Sequence, residues 1–215
     1  MFDLIPFDLE TTGIDCFTDV PVSYYLGDKE GYINPGIDIP ESTTEIHGIT
    51  NEMVADAPNL LNSVFMIRDA LDTYWAQNKI IVGMNVSYDI TMINSCLHRY
   101  GSFLVPGAVI DVLAIDRFYD KYRKGSRKLV DLCAHYGIEL ENAHTASADA
   151  KACPLIFNKQ LEKYESLKRL DLRNNKTMRM MYQQWLTNYS VYLVKNGGEP
   201  IPVGRYEWPI HSKEI

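Results

Sequence analysis

An apolar run from Phe2 to Leu9 carries two carboxylates at its end, Asp8 and Glu10. Runs of this length read as buried strands, and Thr12-Gly13 supplies the turn that ends this one. Side chains alternate along a strand, so Asp8 and Glu10 share a face. With reference pKa values of about 4, both would be ionised at neutral pH and would repel each other. A bound hard cation relieves such a pair at the end of a central strand. An acidic turn without a ligand is the alternative, and the Asp-x-Glu spacing taken alone favours it.

Two later helices change that balance. Asp89 falls in the first turn of a helix after Gly83-Met84-Asn85 and shares a face with Ile93, Cys96, Leu97 and Tyr100. Asp149 opens another and shares a face with Cys153 and Ile156. A carboxylate on a core-facing stripe is costly unless its lost hydration is replaced. N-terminal placement on a helix offsets only up to about 1 kcal/mol. Four carboxylates with one destination would form an oxygen-rich site suited to Mg²⁺ or Mn²⁺. His144 lies five residues before Asp149, and its reference pKa of about 6.5 suits proton abstraction from water. A surface or capping role is the alternative for this histidine, and the expected one for His98, His135 and His211.

The remaining pattern is α/β. Residues 19–33 read as two strands joined at Gly27-Asp28, and Pro35, Gly36 and Pro40 mark a loop. The stretch 46–50 reads as a short turn or helix start. Leu60, Leu61, Val64, Ile67, Leu71 and Trp75 keep helical spacing between Pro58 and Gln77. Lys79–Gly83 reads as a buried parallel strand, 86–100 as a helix, 108–111 as a strand, and the chain to about Tyr136 as helical. Residues 146–170 and 174–195 read as helices, the first despite Pro154. A strand meander followed by alternating strands and helices predicts a mixed sheet with helices on both faces. Pro6, inside the first strand, predicts a bulge or an unpaired position there.

At 215 residues and 46% apolar, the chain has material for one core plus an extension. A net charge of -7 argues against a basic clamp on nucleic acid but not against a metal site that meets phosphate locally. The cysteines at 16, 96, 133 and 153 are too far apart for a Cys-x-x-Cys pair, so reduced thiols and a cytoplasmic location are expected. Met1 leads straight into the first strand, with no signal peptide expected, and no apolar run reaches the roughly 20 residues of a membrane span.

These residues, in this order, resemble the histidine-containing branch of the DEDD superfamily of 3′→5′ exonucleases. The first motif is Phe7-Asp8-Leu9-Glu10-Thr11-Thr12-Gly13, the second Asn85-Val86-Ser87-Tyr88-Asp89, and the third His144-Thr145-Ala146-Ser147-Ala148-Asp149-Ala150. Ile46-His47-Gly48-Ile49-Thr50 is similar to that family's loop between the first two motifs. The likeness runs from residue 1 to about 160, and departs at Met84, where the family often has histidine, and at Pro6. It implies an RNase H-like, mixed five-stranded sheet with strand 2 antiparallel and a domain over 1–160; beyond the likeness, helical spacing predicts a C-terminal helical extension over 161–215 packed on that domain.

The resemblance also implies two-metal phosphodiester hydrolysis. Asp8 would bridge two Mg²⁺ or Mn²⁺ ions, Glu10 and Asp149 would complete the nucleophile side, and Asp89 would hold the leaving-group side. His144 would be the general base. Thr11 would contact the terminal sugar, Asn85 would either contact that sugar or order the second motif, and Ile46 and His47 would meet the terminal base, with ordinary core packing the alternative for Ile46. The expected substrate is the 3′ end of single-stranded or frayed DNA. An RNA 3′ end, and service as the proofreading subunit of a DNA polymerase, stay open; a membrane partner is not expected. The basic stretch 121–128 is expected either to guide the phosphate backbone or to be a solvated loop. Met178, Met181, Tyr182, Trp185, Tyr189 and Tyr192 form an aromatic stripe on the extension, read as packing on its own domain, with docking to a polymerase or second copy as the alternative.

Overall fold

The computed structural model of the protein describes residues 2–139 and 146–213. Five strands form one sheet: β1 (Leu4–Thr11), β2 (Pro21–Leu26), β3 (Lys29–Tyr32), β4 (Ile80–Gly83) and β5 (Val109–Asp111), in the order β3-β2-β1-β4-β5. β1 is central, antiparallel to β2 and parallel to β4, and β4 is parallel to β5. The apolar parallel strands β4 and β5 are buried at every residue, as strands covered on both faces are. The polar strand β3 forms an edge.

Helices flank the sheet: α1 (Glu41–His47), α2 (Asn51–Val54), α3 (Leu60–Ala76), α4 (Ser87–His98), α5 (Val112–Tyr119), α6 (Leu129–Tyr136), α7 (Ala146–Lys163) and α8 (Asn175–Lys195). α3 starts where Asn59 accepts a hydrogen bond from the Asn62 N–H at 2.9 Å, and it buries Ser63, Val64, Ile67 and Leu71 along one stripe. α7 lies against β1, β2 and β4, with Pro154 inside it. One apolar core runs from Phe7 through Ile81, Ile93 and Ile110 to Phe157. No helix among the described residues is long and apolar enough to cross a membrane. All four cysteines are free thiols and buried.

Two expectations are corrected and a third is narrowed. Of the bulge or unpaired position expected at Pro6, the structure has the second: Pro6 stays in register with Val82 of β4 but lies outside the β1–β2 ladder, which begins at Phe7, and the ladder irregularity falls between Glu10 and Thr11. The Pro6 carbonyl accepts from the Gly27 N–H at 2.9 Å, so its main-chain polar groups face the point where β2 turns into the hairpin. No ladder partner is needed there, and the missing N–H costs little. The stretch 46–50, read as a short turn or helix start, instead takes the end of α1 and the turn leading into α2; Pro40 sits at the start of α1, where its absent N–H would be unbonded in any case. Tyr100 lies beyond the end of α4 and is 45% exposed, so it does not continue the Asp89 stripe.

The C-terminal stretch joins the same core. Met178, Met181, Tyr182 and Leu186 of α8 are buried, and the helix packs on α5 and β5. The Asn175 side chain accepts from the Val109 N–H at 3.1 Å and donates to the Gly107 carbonyl, filling backbone positions beside β5. Trp208 is buried against Tyr182, and the His211 N–H donates to Thr91 Oγ1 of α4 at 2.9 Å. The stripe is only half buried, however: Tyr189 and Tyr192 are exposed and stack in line with Trp185.

The basic stretch 121–128 is partly turned inward. Arg123 and Arg127 each donate to Asp116 Oδ2 at 2.8 Å, and the Tyr136 hydroxyl donates to Oδ1 at 2.9 Å. These two arginines are therefore structural, leaving Lys121, Lys124 and Lys128 exposed. Burial alone would push the Asp116 carboxyl up, but the three donors outweigh it and hold its pKa below the ordinary carboxylate value. Asp116→Ala should strand two part-buried guanidiniums and lower unfolding free energy by about 3–5 kcal/mol in urea titrations at neutral pH. Because the folded pKa is depressed, the gap to wild type should close as pH falls below 3.8.

Candidate active site

The carboxyl end of β1 is where the motif residues gather. Gly83 ends β4 at a close approach to β1: a Cβ there would lie 2.7 Å from the Phe7 carbonyl oxygen. Asn85 follows with φ 57°, a left-handed conformation that asparagine tolerates, and turns the chain into α4. Asp89, buried in the first turn of α4, then accepts a hydrogen bond from the Leu9 N–H at 3.1 Å. The second motif is thus clamped to the first through backbone.

Asp8 and Glu10 are half-buried on β1, and α7 brings Asp149 to the same strand. Burial first, then the charges of Asp89, Glu10 and Asp149, push the Asp8 carboxyl well above its usual range. Burial and then Asp149 push Glu10 up to about 7. Asp89 is also held well above its usual value, chiefly by burial, against the hydrogen bonds it accepts. The four expected carboxylates therefore feel one another at the end of β1. His144 lies outside the described residues.

An all-oxygen, mutually repelling donor set fits divalent Mg²⁺ or Mn²⁺ and does not fit a thiolate- or imidazole-seeking metal. The tightest set of metal-type ligands among the described residues is elsewhere: Asp116, Asp120 and His135, within 4.8 Å. There the carboxylates already hold cations. Asp116 takes two arginines, and the Lys163 ammonium lies 3.3 Å from Asp120 Oδ2 and 2.8 Å from His135 Nε2. That cluster is an ion-pair network.

Beside the carboxylates lies a groove of about 430 Å³. Thr11, Ile46, His47 and Asn85, the expected substrate contacts, all line it. Ile46 is 62% exposed and free to meet an apolar or aromatic face. His47 is less free: its Nδ1 accepts from the Ile49 N–H at 3.0 Å, and burial lowers its pKa, keeping the ring neutral. The Thr11 and Tyr88 hydroxyls both donate to the Gly13 carbonyl, so Thr11 offers its oxygen mainly as an acceptor.

Two residues of this site were not found by sequence reasoning. Asp111, at the end of β5, accepts from the Leu113 and Ala114 N–H groups as the cap of α5 and from the Asn85 N–H at 3.0 Å. One carboxylate thereby starts a helix and fixes the turn before the second motif. An aspartate between an apolar strand and a helix is the signal that could have found it. Arg205, from the short 3₁₀ segment Val203–Tyr206, lines the groove from the far end of the sequence, where nothing local marks it.

This sheet order, with carboxylates from β1, α4 and α7 around one strand end, is that of the DEDD superfamily of 3′→5′ exonucleases. The sequence pattern of the RNase_T exonuclease family matches residues 5–157, and the chain belongs to that family. Membership implies use of a divalent metal. PolC-type DNA polymerase III of Oceanobacillus iheyensis is 29% identical over 194 residues, covering 84% of this chain and 13% of that protein. The PolC-type polymerase of Bacillus subtilis is 30% identical over 169 residues, covering 74% of this chain and 11% of that protein. The chain thus spans a small fraction of the length of these relatives. Escherichia coli exonuclease I in complex with a dA16 oligonucleotide superposes with a TM-score of 0.61 at 18% identity, over 87% of this chain and 45% of that one. Exonuclease X in complex with 5′-overhanging duplex DNA gives 0.50 at 16%, over 79% and 95%. At these identities the structures show a shared fold.

The raised carboxyls make the metal-free protein pH-sensitive. Between the ordinary glutamate value of 4.5 and about 7, folded Glu10 holds a proton that the unfolded chain has released. Lowering pH through that window should raise the melting temperature in EDTA, and raising it past 7 should lose that gain. Mg²⁺ should stabilise the protein more at alkaline than at acidic pH, since it competes with those protons. Asp8→Asn should melt higher than wild type in EDTA at alkaline pH, a differential-scanning measurement in which an unchanged midpoint would count against the repulsion.

Proposed function

We propose that the protein removes nucleotides from the 3′ end of single-stranded or frayed DNA by hydrolysis, releasing nucleoside 5′-monophosphates. The observation that carries this reading is the ring of Asp8, Glu10, Asp89 and Asp149 at the end of β1, opening onto a groove wide enough for a terminal nucleotide. Those four side chains would hold two Mg²⁺ or Mn²⁺ ions, which when bound supply positive charge to the phosphate and lower the pKa of water.

The chain's own residues do the rest. Ile46 offers an exposed apolar face to a terminal base, which must be unstacked to reach it, so a frayed end is preferred. Thr11 and Asn85, both on the lining of the groove, contact the sugar, Thr11 as an acceptor of a sugar hydroxyl. His144 takes the proton of the attacking water. Residues 1–160 form the catalytic unit, and 161–215 an extension packed on it. Likeness to PolC-type polymerases favours DNA over RNA and makes proofreading beside a polymerase the second reading, with the reduced cytoplasm as its setting.

Digestion of matched, labelled DNA and RNA oligonucleotides with Mg²⁺ or EDTA tests this. DNA should shorten from its 3′ end only with the metal; faster loss of RNA would move the assignment to an exoribonuclease. Asp8→Ala and Asp149→Ala should reduce turnover to background with the fold intact by circular dichroism, and near-wild-type turnover in either would falsify the assignment. His144→Ala should retain more activity than either and flatten the pH profile near neutrality.

A further inference from the structure

The groove beside the carboxylates has one unused charge. Its walls come from β1, the following turn, α1 and the start of α4, all within the family-matched residues 5–157, except at Arg205. Arg205 is the only lysine or arginine among the lining residues. It is half-buried, and no carboxylate among the described residues lies within ion-pairing distance of it. Its guanidinium carbon lies 5.8 Å from the centre of the Phe17 ring and it donates to Cys16 Sγ at 3.7 Å, while its charge adds only a minor part, after the Phe17 N–H bond, to holding the exposed Asp15 carboxyl below its usual value. A guanidinium set on an aromatic face and a thiol keeps most of its five donors unspent.

The surroundings hold it there. Gly204 accepts from the Ser212 N–H at 3.1 Å, closing the tail into a loop. A Cβ on Gly204 would collide with the Ser212 carbonyl oxygen, so the closure needs glycine. On the other side, Gln183 of α8 donates to the Tyr206 carbonyl at 2.9 Å. The loop is pinned again by Arg179 donating to the Trp208 carbonyl and by the His211 N–H on Thr91 Oγ1. Many contacts thus fix the backbone on both sides of one arginine whose own head donates only to the Cys16 thiol among the described residues. In a chain of net charge -7, that head faces a cleft otherwise lined by Glu10 and neutral groups.

We infer that Arg205 is a substrate-binding residue: the C-terminal tail delivers it to the groove to hold a phosphate of the bound strand other than the one being cut. This rests on the function proposed above. The scissile phosphate belongs with the carboxylates and their cations, and of those carboxylates only Glu10 reaches Arg205's groove. A planar guanidinium suits two oxygens of a neighbouring phosphodiester. The extension then has a task in substrate binding besides packing.

The test compares Arg205→Ala, Arg205→Lys and wild type on a single-stranded oligothymidylate and on the p-nitrophenyl ester of thymidine 5′-monophosphate, which carries only the phosphate being cut. Arg205→Ala should raise KM for the oligonucleotide by about tenfold with kcat nearly unchanged, the loss of one charge-assisted contact. It should leave hydrolysis of the ester unaltered. The slope of log KM against log salt should fall by about 0.7, one phosphate contact on a single strand, and Arg205→Lys should restore most of that slope. An unchanged oligonucleotide KM, or an equal loss on ester and oligonucleotide, would overturn the inference. If wild type cleaves neither substrate, the proposed function fails by itself. Anisotropy of the labelled oligonucleotide with Ca²⁺ then decides the role of Arg205 by the same salt slope.

Discussion

Four negative side chains share one end of one strand, and the protein is arranged around keeping them there. Desolvation and mutual repulsion both raise their pKa values, so the site is a place where folding works against itself. Proteins keep such strain where function requires it. The remainder of the molecule supplies rigidity in return: β4 and β5 are wholly buried, α7 is laid across three strands, and Asp89 is tied to the backbone of β1.

The site is also held by polar groups whose hydrogen bonds go to the protein itself. Asp111 is spent on the turn before the second motif, so that Asn85 can adopt its left-handed conformation. Asp116 gathers two arginines from a loop that would otherwise be loose and cationic. These two buried aspartates show why acidic residues in such a chain cannot be assigned by charge alone. One is a cap and one an ion-pair hub, whereas Glu10, Asp89 and Asp149 raise the pKa of Asp8 at the end of β1.

Much of this was legible in the residues. Asp8 and Glu10 sit in phase on an apolar strand, and Asp89 and Asp149 sit on core-facing helical stripes, so local periodicity sufficed to find them. Apolar runs and turn residues at β2, β3 and β4 mark a mixed sheet with flanking helices, and the family resemblance supplies its five strands with strand 2 antiparallel. What could not be read were arrangements set by tertiary contact. Pro6 is harmless only because β2 has already turned away at Gly27. Arg123 and Arg127 look like a phosphate guide until Asp116, seven and eleven residues earlier, is seen to claim them. Arg205 reaches the groove through a loop closure between Gly204 and Ser212 that has no periodic signature.

The wall that Arg205 forms has a consequence for how the molecule is made. Its partners across the groove, Glu10 and Thr11, leave the ribosome nearly two hundred residues earlier. The strands and the helices that carry Asp89 and Asp149 can assemble as the chain emerges, but the cleft gains its last side only when synthesis has passed the tail. A nascent chain with all four acids in place still lacks the finished mouth of the enzyme.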